Sequence, residues 1–245
     1  MKTVKLVISE NRSLKKIAYI YLNNEKNLNA IDLELFKELK KSLEMIAVRE
    51  DIGVLILSSD LSRAFSTGVD VKFIQTLTNK EASHFFNDLS ILLDDIAHFP
   101  IPTITVLNGY TLGAGADLAI SSDIRIASSS TVFRFPGPQF GLILGTKRLI
   151  NEIGASKARF LTLSNTKVNA ETAKNYGLVH EVCEGINEAH ELALSLANTL
   201  LNVPATTARM IKELSNGNQN PSPYLTRDSV LQGDFKERFE HYITK

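Results

Sequence analysis

The stretch Asn108-Gly109-Tyr110-Thr111-Leu112-Gly113-Ala114-Gly115-Ala116-Asp117-Leu118-Ala119 carries residue types that can do chemistry together. Three glycines among small neighbours let a backbone turn sharply and approach a ligand closely. A helix beginning there leaves N–H groups without partners at the positive end of its dipole, which suits an oxygen carrying or developing negative charge. Asp117 adds a carboxylate in the first turn or two. A second small-residue loop, Phe65-Ser66-Thr67-Gly68-Val69-Asp70-Val71-Lys72, also follows an apolar run. One backbone N–H from each loop could grip a single carbonyl oxygen, and such a donor is worth about 3 kcal/mol or more to a developing oxyanion. Spacing alone leaves open whether the loops meet. Tight helix–sheet packing is the alternative use of the same glycines.

Other chemistries lose their footing at the residue level. Gly113 and Gly115 begin a G-x-G, but Leu118 stands in the third glycine's place, so no dinucleotide fingerprint is present. Gly141-Leu142-Ile143-Leu144-Gly145-Thr146-Lys147 lacks the spacing of a phosphate-cradling loop, and there is no G-x-S-x-G elbow. His84, His98, His180, His190 and His241 show no paired ligand spacing, so no metal is expected.

The elements that must position the two loops follow from hydrophobic pattern. Residues 4–8, 16–22, 53–57 and 102–107 read as strands, the third near-continuously apolar as in a strand covered on both faces. Asp32 caps a helix with Leu35, Phe36, Leu39, Leu43 and Ile46 on one side. Residues 81–99 are helical until Pro100 and Pro102 intervene. Residues 58–71 read as loop. A helix is expected from Leu112, short strands at 123–127 and 131–135, and helices at 146–153, 156–163 and 170–176. Strand–strand–helix followed by repeated strand–helix argues for an α/β layered fold. From Glu188 the pattern is helical, interrupted by Pro204 and a loop at 217–223. A boundary near residue 190 therefore separates a core, 1–190, from a helical region, 191–245, that packs on the core or on a neighbouring subunit.

Composition bounds the class. The 245 residues are 44% hydrophobic and 22% charged, and 27 Lys+Arg balance 27 Asp+Glu. Zero net charge gives nucleic-acid or membrane-surface binding little electrostatic basis. The single Cys183 permits no internal disulfide and fits a reducing compartment. No signal-peptide core, membrane span or peroxisomal address is apparent, so a cytoplasmic protein is expected.

Five segments in order resemble the crotonase (enoyl-CoA hydratase/isomerase) superfamily. They are Lys26-Asn27-Leu28-Asn29-Ala30-Ile31, Ala64 through Lys72, Gly109 through Ala119, Ala170 through Val179, and Asp234-Phe235-Lys236-Glu237. The resemblance implies a crotonase-like (ClpP/crotonase) spiral of strand–strand–helix units with C-terminal helices that help form trimers or dimers of trimers. It implies an acyl-CoA thioester substrate, with coenzyme A entering only as part of it and no tightly bound cofactor. Val69 and Ala114 would then supply the oxyanion-holding N–H groups, and Lys26, Asn27, Leu28, Ala64, Asp70 and Lys72 fall in coenzyme A-contacting segments. Family hydratases use two glutamates. Here the first position is Asp117, shorter by about 1.5 Å of reach; the second aligns with Gln139, which can position a group but not carry a proton. One carboxylate suffices to move a proton between carbons, so isomerase or hydratase/lyase chemistry through an enolate is expected. A decayed acyl-CoA-binding module, or a decarboxylase or thioesterase of the same family, is the alternative.

Overall fold

In the computed structural model, which describes residues 2–9, 15–216, 227, 230–231 and 235–243, one unit recurs. An opening hairpin, β1 (Val4–Ile8) and β2 (Lys16–Leu22), leads into α1 (Leu33–Ala47). Then a long strand, a short strand and helix follow three times. The first turn is β3 (Ile52–Ser59), β4 (Ala64–Ser66), α2 (Val71–Gln75) and α3 (Asn79–Ala97). The second is β5 (Thr103–Leu107), β6 (Tyr110–Leu112) and α4 (Ala114–Ile120). The third is β7 (Ile124–Ser128), β8 (Val132–Arg134), α5 (Thr146–Ile153) and α6 (Ala155–Ser164). The remaining elements are β9 (Val168–Asn169), α7 (Ala170–Tyr176), β10 (Glu181–Cys183), α8 (Ile186–Leu200), α9 (Ala205–Ser215) and α10 (Phe235–Ile243).

The long strands make a six-stranded sheet in the order β1-β2-β3-β5-β7-β10, parallel except for the opening hairpin. The short strands stack separately as β4-β6-β8-β9. Each turn of the chain thus contributes one strand to each sheet, which is the spiral the crotonase resemblance implies. One face of the large sheet packs against α1 and α3. Asp32 caps α1 by accepting the Leu35 N–H at 2.8 Å, and Leu35, Phe36, Leu39, Leu43 and Ile46 are all buried. A fully buried side chain of that size contributes roughly 1.5–3 kcal/mol.

The opposite face is covered by α8. Ala189, Ala193 and Ala197, four residues apart, form one stripe that packs on Ile17, Val54, Ile56, Ile104, Val106 and Ile126. Small side chains let that helix lie close to the sheet. The boundary expected near residue 190 therefore falls inside a helix that completes the core. α9 is tied back by Lys212, whose Nζ is 3.0 Å from Asp123 Oδ2, and by Asn216, whose amide donates to the Ala97 carbonyl at 2.9 Å.

Two expectations change. The segment 58–71 contains β4, and its end opens α2; the helix expected from Leu112 starts at Ala114, after β6. Three-residue strands are too short to display a two-residue alternation. Asp234 and the loop 217–223 lie outside the described residues. Among the described residues no helix is long and apolar enough to cross a membrane.

Candidate active site

The short-strand ladder decides which loops become neighbours. Ser66 of β4 pairs with Thr111 of β6, and Leu112 of β6 pairs with Arg134 of β8. The residues that leave these strands, Thr67–Val69, Gly113–Ala114 and Phe135–Pro138, therefore emerge side by side and line one cavity of about 290 Å³. The question the sequence left open is answered here: the first two loops touch. Gly68 (φ +93°) is so close to the second loop that a Cβ there would lie 2.8 Å from the Leu112 carbonyl oxygen and 3.4 Å from the Ala114 nitrogen. Both its backbone angle and its surroundings require glycine.

Val69 is held from behind. Ile31 donates to the Gly68 carbonyl at 2.7 Å, and the Asp70 N–H donates to the Ile31 carbonyl at 2.9 Å. Those two bonds flank Val69 in a parallel bridge, so its own N–H points away from Ile31. Ala114 is the first residue of α4, where an N–H has no partner within the helix. Neither N–H donates to any acceptor among the described residues. Two such donors on adjoining cavity walls can hold one oxygen.

Asp117 lines the same cavity from the first turn of α4, only 8% exposed. Burial pushes its carboxyl up to about 7, against the opposing pull of the Arg148 guanidinium and the Gly145 backbone N–H. Gly145, at the start of α5, packs on it so tightly that a Cβ there would lie 2.1 Å from Asp117 Oδ1. A carboxyl poised near neutrality can both accept and donate a proton. It is the only carboxylate among the described residues lining the cavity.

A model of the enoyl-CoA hydratase/isomerase family matches residues 12–240. The chain belongs to that family. A probable mitochondrial enoyl-CoA hydratase of Dictyostelium discoideum is 33% identical over 204 residues, covering 82% of this chain and 72% of that one. The mitochondrial methylglutaconyl-CoA hydratase of Mus musculus is 31% identical over 209 residues, covering 83% of this chain and 66% of its own length. The solved structure of an enoyl-CoA hydratase from Bacillus anthracis superposes with a TM-score of 0.81 at 26% identity, covering 98% of this chain and 91% of that one.

Within this family member, the residues expected in the site divide into two groups. Val69, Ala114 and Asp117 converge on the cavity. Gln139 does not: it is exposed on a 3-10 turn, Gly137–Phe140, and the turn presents Gly137, Pro138 and Phe140 to the cavity instead. The six residues of the expected coenzyme A segments lie outside the cavity lining. Lys26 and Lys72 are exposed, Ala64 is fully buried in β4, and Leu28 is a left-handed residue (φ 55°) behind the first loop. Asn27 donates to Asp70 at 2.9 Å, while Thr67 bonds the Asn27 and Leu28 carbonyls. That clip fixes the Val69 loop. Among the lining residues that the sequence does not single out are Arg134, Gly145 and Thr162. Gly145 belongs to a segment without phosphate-loop spacing, and nothing in spacing marks the other two.

Proposed function

We propose that the protein is an acyl-CoA thioester enzyme that forms an enolate held by the Val69 and Ala114 N–H groups, with Asp117 as its single acid/base. The observation that carries this reading is a buried carboxyl near pH 7 opening onto the cavity that bears two unengaged donors. With the thioester oxygen on those donors, negative charge developing at that oxygen meets fixed dipoles rather than reorganising water. The ionised Asp117 takes a proton from a carbon beside the thioester or vinylogous to it. Protonated, it returns that proton to another carbon, which completes an isomerisation without a second carboxylate. Hydration stays the second reading, favoured by the names of the relatives; it requires a water oriented by something other than Gln139.

The test is incubation with enoyl-, 3-hydroxyacyl- and malonyl-type CoA thioesters in D₂O, followed by mass spectrometry. Deuterium at the α-carbon, lost in Asp117→Asn, is the expected outcome, and the product identifies the reaction. Binding without exchange or turnover on any thioester would replace the enzyme by an acyl-CoA-binding module.

A further inference from the structure

Arg134 stands out within this cavity because its charge forms no ion pair among the described residues. It ends β8, and the register Leu112↔Arg134 sets it beside the turn that leads into Ala114. Its neighbour Phe133 points into the core and is fully buried, while Arg134 is half-buried at the cavity wall. The Nε–H is spoken for: it lies 3.1 Å from the Asn165 carbonyl oxygen and 2.8 Å from Asn165 Oδ1. Asn165 ends α6 in the left-handed conformation (φ 54°), three residues after Thr162, which lines the same cavity. The Arg134 guanidinium is thus fixed at one edge by Asn165, on the wall of a cavity that Thr162 also lines.

The far edge is free. Neither terminal nitrogen of Arg134 has an acceptor among the described residues, and Arg134 forms no ion pair there. The hydroxyls of Thr67 and Thr162 are turned to backbone carbonyls, of Asn27 and Ala158 respectively. Asp117, the one acid among the described lining residues, has its carboxyl raised to about 7 by burial. The rest of the wall is largely apolar, with Phe135, Leu142 and Leu144 among it. A guanidinium stays charged at any relevant pH, and a cation facing an apolar cavity is stabilised only by water or an anion. With its Nε edge anchored, the fork is preorganised for two parallel bonds to a planar carboxylate.

We propose that Arg134 makes the protein select acyl-CoA thioesters whose acyl group carries a second, free carboxylate. The proposal rests on the acyl-CoA reading above and narrows it: the carbon chain lies on the apolar wall and its terminal carboxylate on the Arg134 fork. Coenzyme A's own phosphates are the other source of anionic oxygen, and the test separates the two.

The experiment is calorimetric titration of the wild-type protein, Arg134→Met and Arg134→Lys with three ligands: glutaryl-CoA, pentanoyl-CoA of equal carbon count, and free coenzyme A. The wild type is expected to bind glutaryl-CoA about tenfold or more tighter than pentanoyl-CoA, the scale of a charge-assisted bidentate contact. Arg134→Met should abolish that preference while leaving pentanoyl-CoA and free coenzyme A within about twofold. Arg134→Lys, a point charge without the fork, should restore part of it. An equal loss with all three ligands would make Arg134 a phosphate contact and overturn the proposal. So would a wild type without the preference, or an Arg134→Met variant that keeps it. Should the wild type bind none of the three, the acyl-CoA reading falls, and this one with it.

Discussion

Two carboxylates occupy corresponding places in successive turns of the spiral, and their surroundings drive them apart. Asp70 follows the loop after β4; Asp117 follows the loop after β6. Asp70 is the N-cap of α2: it accepts the Phe73 N–H at 3.0 Å and the Asn27 amide at 2.9 Å, and these bonds hold its carboxyl below the usual range. Asp117 is one turn further into its helix, buried, and raised to about 7. Carboxylates whose environments separate their proton affinities take on different work. One loop uses its acid to stay folded, and the next holds its acid at the cavity wall at some cost in stability.

The largest expected effect comes from removing that second acid. Asp117→Asn should lower turnover by about 10²–10⁴-fold, the range for loss of a general acid–base group, and erase any limb of the pH–rate profile near 7. The stability change has the opposite sign. A carboxyl raised from about 4 unfolded to about 7 folded costs nothing below the lower value, a growing amount between the two, and the full amount above the higher. That full amount is on the order of 4 kcal/mol. Asn removes it, so the variant should melt higher than wild type above pH 7, by about 2–4 °C for each kcal/mol gained. The difference should shrink towards pH 4. A melting difference that ignored pH would mean that Asp117 is not held protonated by burial.

Next in size is Gly145→Ala. Gly145 has no left-handed angle to protect; what it protects is room, since a Cβ would lie 2.1 Å from Asp117 Oδ1. Either Asp117 or the start of α5 must move. A displacement of about 1 Å at a reacting group costs on the order of 10²-fold in rate, and overpacking here costs about 1–3 kcal/mol. Steady-state kinetics should place the loss in kcat rather than KM. Unchanged kcat would detach Asp117 from the chemistry.

Much of the frame is legible in hydrophobic pattern and local helix signals. The strands 4–8 and 16–22 and the helices 146–153 and 170–176 were read with the bounds the structure gives them. The convergence of the two loops was not legible from periodicity. It depends on β4, β6 and β8, each three residues long, whose ladder is a matter of register between turns of the chain. Gln139, expected as a polar positioning residue, stands outside the cavity lining for a local reason. A 3-10 turn advances each side chain by about a third of a circle, so a one-residue difference in that turn puts Phe140 on the cavity and Gln139 in water. Arg134 and Gly145 went unseen because their importance lies in what they face across the cavity.

The smallest effect sharpens the comparison most. Asp70→Ala removes a helix cap and the bond that clips Asn27 to the first loop. At pH 7 the loss should be about 1 kcal/mol. Because the wild-type carboxyl is depressed, its contribution is present above the unfolded value near pH 4 and disappears as pH falls through the folded one, so the two proteins should converge in melting temperature at acid pH. That trend is the mirror image of the one expected for Asp117→Asn, where the difference is greatest at high pH and favours the variant. A role for Asp70 as a direct contact to coenzyme A predicts something else: a raised KM with a pH-independent difference in stability. Melting curves of both variants between pH 4 and 8, alongside KM for one thioester, distinguish a carboxylate that holds a loop from one that holds a ligand.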